Sequence, residues 1–195
     1  MASEPHIAPQ DAAASLSDVE VIERRTREAV RYAYASTFQI MWGTLVAIGY
    51  IAEYISPKTD LYSWIAVLVV GIIGGITIRR SRANRSGRPV DWRVVYGQIA
   101  LVAFGFLWTT LLTDATPRQI NALWPTFYMF TMVLFGIWVG RFFVGLGLVV
   151  TALVAVGYLW AGDWFLPWMA VVAGGGCIAS GLYLRRIGLQ NQTLP

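Results

Sequence analysis

Leu61-Tyr-Ser-Trp-Ile-Ala-Val-Leu-Val-Val-Gly-Ile-Ile-Gly-Gly-Ile-Thr-Ile78 runs for 18 residues without a charge, and Arg79-Arg80-Ser-Arg82-Ala-Asn-Arg85-Ser-Gly-Arg88 follows directly. A helix needs about 20 apolar residues, rising 1.5 Å each, to cross the roughly 30 Å hydrocarbon layer of a bilayer. Arginines at one end of such a run mark the cytoplasmic side, where positive charge is retained. Working outward, five more apolar runs appear, at about 35–55, 94–112, 120–139, 142–160 and 164–184. The pattern predicts an all-α fold: a six-helix transmembrane bundle.

The basic residues set the orientation. Arg24, Arg25, Arg27 and Arg31 precede the first run. Arg79, Arg80, Arg82, Arg85, Arg88 and Arg93 separate the second from the third. Arg141 lies between the fourth and fifth, and Arg185 and Arg186 follow the sixth. These 13 of 15 basic residues fall on one side, leaving Lys58 and Arg118 on the other. Both termini are therefore expected in the cytoplasm, and the chain in the inner membrane of a bacterial cell. Trp64, Trp108, Trp124, Trp160, Trp164 and Trp168 fall at outer ends of runs, as an interfacial aromatic belt would.

Composition agrees. Only 13% of the 195 residues are charged, against about 25% in a soluble domain. Residues 1–14 read as a disordered tail. Residues 15–34 read as a cytoplasmic helix continuous with the first span, opened by the capping box Ser17-Asp-Val-Glu20. Residues 35–186 form the six-span domain and 187–195 a short cytoplasmic tail. The first 34 residues carry six acids and no apolar core, so no cleavable signal is expected. Residues 120–160 would make a helix of roughly 60 Å, so the chain must fold back near Gly140-Arg141.

The odd-numbered runs share an ending: Gly49-Tyr50, Gly105-Phe106 and Gly157-Tyr158. The even-numbered runs pass from an outer tryptophan (Trp64, Trp124, Trp168) to an inner arginine (Arg79, Arg141, Arg185). Three parallel helical hairpins would give this pattern. So would any set of membrane helices with interfacial Trp and Arg.

Chemistry-bearing residues are few. His6 and Cys177 are the only His and Cys, so neither a transition-metal site nor an internal disulfide is expected. Enzyme motifs and cofactor motifs are absent; Gly174-Gly175-Gly176 lacks the Lys-Ser/Thr of a phosphate loop. Glu53 is the one acid within a span. It either binds a proton or cation at an outer mouth or simply reaches the headgroups. Gln39, Gln98 and Asn121 are, with Glu53, candidates for a polar cavity; helix-to-helix hydrogen bonding is the simpler role. Gly71-x-x-x-Gly75, Gly136-x-x-x-Gly140, Gly174, Gly175 and Gly176 are expected at close helix crossings, within one bundle or between protomers of a homo-oligomer.

The charge-paired helix at 15–34 and the arginines Arg79, Arg80, Arg82, Arg85 and Arg88 make a cytoplasmic face. It suits anionic lipid or an acidic protein partner; direct nucleic-acid binding is not expected. The layout resembles that of small six-span bacterial membrane proteins, some of which accompany a cytosolic transcription regulator. The resemblance covers layout alone and carries no functional residue. The expectation is a non-enzymatic membrane protein that docks a cytosolic partner. The alternative is a small transporter or channel for a neutral or lipidic solute.

Overall fold

The computed structural model describes residues 34–86 and 92–193, and it is helical with no strand among them. Helix α1 is Tyr34–Ile55. Ser56-Pro57 stops it, and Pro57–Thr59 forms one 3-10 turn. Helix α2 is Asp60–Ser86, α3 is Trp92–Leu111, α4 is Pro117–Val139 and α5 is Arg141–Trp160. A 3-10 turn at Gly162–Trp164 leads into α6, Phe165–Met169. A π-helical stretch, Ala170–Gly175, joins α6 to α7, Gly176–Thr193, and these together form the sixth helical rod.

Five of the rods are long and apolar enough to cross a membrane. The third, α3, has 20 residues, and Tyr96–Leu111 within it is apolar helix. Large apolar side chains cover the outside, among them Ile48, Ile55, Val70, Ile73, Ile99, Leu148 and Leu182. Such a surface is consistent with a multi-pass membrane protein, since water would drive these groups inward.

The arginine-rich segment after the second run is helix rather than loop through Ser86. Arginine is a good helix former, and no breaker occurs until Gly87 and Pro89. Arg88 and the helix expected at 15–33 lie outside the described residues. The expected C-terminal tail is helical as far as Thr193.

The turn between α4 and α5 is one residue long. Gly140 has φ 154° and ψ 147°, a region open essentially to glycine. It does not pack against another helix, contrary to its expected role: a Cβ there would meet nothing within 4 Å. Gly136 does pack, its Cβ position lying 2.6 Å from the Val144 nitrogen. Gly147 returns the contact at Met129 and Val133, so α4 and α5 are zipped along their length.

A second close crossing is between α1 and the sixth rod. A Cβ on Gly43 would lie 2.6 Å from the Gly174 oxygen and 2.8 Å from the Ile178 nitrogen. One on Gly174 would lie 2.6 Å from the Ala47 Cβ, and one on Gly181 2.8 Å from the Ser36 oxygen. Small residues thus bring two backbones together. Gly176 makes an ordinary contact with Val150, and Gly175 faces open space rather than a partner helix. The core gathers Tyr50 of α1, Met129 of α4, Val150 and Val154 of α5, and Phe165, Met169, Ala173 and Cys177 of the sixth rod. Helix α2 flanks α1, with Gly71 against Trp42 and Gly75 in ordinary contact with Phe38, while α3 flanks α4.

The three Gly-aromatic endings do the same structural job. Gly49 receives the ring of Trp64, Gly105 that of Trp124 and Gly157 that of Trp168. Each tryptophan comes from the next helix. Beside them, Tyr50 meets Trp64 edge-on at 4.9 Å, Phe106 meets Trp124 at 5.4 Å and Tyr158 meets Phe165 at 6.2 Å. Trp64, Trp124 and Trp168 are thus packing residues, whereas Trp160 and Trp164 stay exposed as the belt requires.

Candidate functional site

The polar centre of the structure lies at the arginine-poor end of the bundle, where α1, α2 and α4 meet. Its origin is Pro125, inside α4. A proline has no N–H, so the carbonyl four residues earlier loses its helical donor. That carbonyl belongs to Asn121, and the Tyr50 hydroxyl donates to it at 2.8 Å. Tyr50 is 1% exposed and fixes α1 against α4.

One turn along α1 from Tyr50 stands Glu53. It does not reach out to headgroups, as the simpler sequence reading had it, but is 5% exposed. Trp64 Nε1 donates to its Oε2 at 2.9 Å, and the Asn121 side-chain amide donates to its Oε1. The carboxyl of Asp60, first residue of α2, stands near that of Glu53. The carboxyl group therefore ties three helices at one point. No group of three or more His, Cys, Asp or Glu suited to a metal occurs among the described residues.

Of the cavity candidates, the structure joins Glu53 and Asn121 directly. Gln39 lies toward the arginine-rich end, 3% exposed, with its amide nitrogen 3.8 Å from the Met132 sulfur of α4. Gln98 is half-buried on α3. Tyr50, Trp64, Asp60 and Tyr128 were not singled out for this role from sequence. The signal for Tyr50 was present: Pro125 within an apolar run announces a free carbonyl that some donor must meet.

Arg118, one of two basic residues at this end, closes a second junction. Its guanidinium donates to the Tyr158 oxygen at 2.8 Å and to the Gly157 oxygen at 3.3 Å. It also lies over the rings of Phe165 and Tyr158, 4.8 and 5.5 Å from their centroids. It reaches carbonyls in the last turn of α5, where a helix end favours a cation, and it shares the Gly157 oxygen with the Ala161 amide. Of the arginines that follow the second run, Arg79 is half-buried and Arg80 exposed. Arg82 and Arg85 occupy the last two turns of α2.

No family model matches this chain, and no curated protein or solved structure matches it.

Proposed function

We propose that this is an integral protein of the bacterial inner membrane, crossing it six times with both termini in the cytoplasm, and that it docks a cytosolic protein. The docking face consists of the N-terminal segment and Arg79, Arg80, Arg82, Arg85 and Arg88. The observation that carries the reading is the length of α2. Its 27 residues extend about 40 Å, against a hydrocarbon layer of about 30 Å. The turns beyond the layer are the ones that bear the arginines, which leaves them as a rigid basic post rather than a slack loop. Helix α3 serves as the third span in this reading. Its 20 residues extend about 30 Å, the thickness of the layer. The close α1–sixth-rod crossing supports docking over transport, because it places backbone against backbone where a permeation path would need room.

The test is affinity capture from bacterial lysate with the full chain, wild type against Arg82→Glu/Arg85→Glu/Arg88→Glu. Loss of a specific soluble partner from the triple variant is expected. Equal recovery from both, or recovery abolished by anionic-lipid vesicles alone, refutes protein docking. Reporter fusions at each terminus check the orientation, and an external signal from either one refutes it.

A further inference from the structure

The buried face of the sixth rod does not fit one unbroken α-helix. Phe165, Met169, Cys177, Gly181 and Leu184 are all buried. An α-helix turns by about 100° per residue. Counted so from Phe165, Met169 lies about 40° round the rod, Cys177 about 120°, Gly181 about 160° and Leu184 about 100°. A face that drifts this far would carry the last three towards lipid. With one residue taken out of the count between Met169 and Cys177, they return to about 20°, 60° and 0°. The π-helical stretch Ala170–Gly175 lies in that interval. A π turn, bonded i to i+5, uses one residue more than an α turn.

Each half of the rod is keyed to a different helix. Before the stretch, Trp168 sets its ring against Gly157 of α5, and its Nε1 donates to the Leu153 oxygen at 2.9 Å. From Gly174 onward, the keys are on α1: Gly174 meets Ala47, Cys177 meets Gly43, and Gly181 meets Ser36 and Ile40. The later contacts with α5 run through side chains that can follow a small turn. Val150 touches Gly176, and the rings of Phe142 and Tyr183 stack at 5.2 Å. The stretch itself is loosely held. The Gly176 N–H is shared among the carbonyls of Val171, Val172 and Ala173. Val171 is 71% exposed, and a Cβ on Gly175 would meet nothing within 4 Å.

We propose that Ala170–Gly175 is a joint. It holds one surplus residue, which seats the rod on α5 and on α1 at once, and the two halves flex against each other there. The surplus residue is dispensable inside the stretch and indispensable two turns later. The joint stands between the Trp168 clasp and the end that bears Arg185 and Arg186, so the first half can turn with α5 while α7 keeps its seat on α1. The inference does not depend on the docking face.

Two deletions in the full chain, in lipid nanodiscs, test it: removal of Ala173 and removal of Ala179. The two variants have the same composition. Ala173 is buried and Ala179 exposed, so burial alone makes the loss of Ala173 the worse. The joint predicts the reverse. Without Ala173 the stretch closes as α-helix, and Gly174 and all that follows stay in place. Without Ala179, Gly181 and Leu184 turn about 100° off their seats. Relaxing the π stretch to bring them back unseats Gly174 and Cys177 instead. Melting followed by circular dichroism should leave the Ala173 deletion within about 3 °C of wild type and lower the Ala179 deletion by roughly 10 °C or more. Equal losses, or a larger loss without Ala173, overturn the proposal. Hydrogen exchange reads the flexing. Amides 170–176 of the wild type should exchange about tenfold faster than those of 181–185, and deletion of Ala173 should remove the difference. One rate along the whole wild-type rod, or a difference that survives the deletion, overturns it equally.

Discussion

Gly174 and Gly175 are neighbours of identical chemistry, yet alanine should act on them in opposite directions. At Gly174 the new methyl would sit 2.6 Å from the Ala47 Cβ and 2.8 Å from its Cα and nitrogen. Carbon atoms settle at about 3.5–4.0 Å, so α1 and the sixth rod must part by roughly 0.7 Å or more. A gap of that size forfeits a quarter or more of the attraction across the contact, and overpacking of this kind costs about 1–3 kcal/mol. At Gly175 the methyl meets open space. There the substitution gains helix propensity of up to about 1 kcal/mol. The two variants should differ by about 2–4 kcal/mol, which for a chain of this size separates their melting temperatures by roughly 5–15 °C. Cys177 is buried and is the chain's one cysteine, so its reaction with a thiol dye during heating reports the loss of this packing directly. A Gly174→Ala protein as stable as Gly175→Ala would refute the crossing of α1 over residue 174.

Glu53→Leu should lower stability by about 1–3 kcal/mol, because it strands the Trp64 and Asn121 donors; Glu53→Gln keeps an acceptor and should lose distinctly less, so equal losses in thermal melts would count against the three-helix tie. Arg118→Ala should cost about 1–2 kcal/mol by opening the end of α5, and Arg118→Lys should recover less than half of it, since an ammonium that reaches the carbonyls has no flat face to lay on the two rings. Gly140→Ala should cost about 1–3 kcal/mol by forcing a side chain into a glycine-only backbone region; an unchanged melting point would show that the α4–α5 turn takes another form.

The rods were legible because their cause is local: long uncharged runs with Ser-Pro, Thr-Pro or Gly at their ends. The fold-back at Gly140 followed from length alone, and the Gly-aromatic endings pointed to hairpins that interlock alike. What stayed hidden depends on distant partners. Glu53 is buried by a tryptophan 11 residues on and an asparagine 68 residues on, and no local pattern shows that. Gly136 and Gly140 look equivalent in a small-x-x-x-small motif. Yet the helix ends between them, so one packs and the other turns. Gly174 and Gly175 differ only in which side of the π-helical stretch they occupy. The arginines after Ile78 continue α2, because nothing in that segment breaks a helix before Gly87.

The tryptophan-into-glycine contacts make each hairpin a ring set into a notch. Each ring fills the space that a methyl on the facing glycine would need, with closest approaches of 3.1 and 2.6 Å at Gly49 and Gly105 and a closer one still at Gly157. A side chain at any of the three positions would prise its hairpin open, so the grip of neighbouring helices at the arginine-poor end depends on three missing methyl groups.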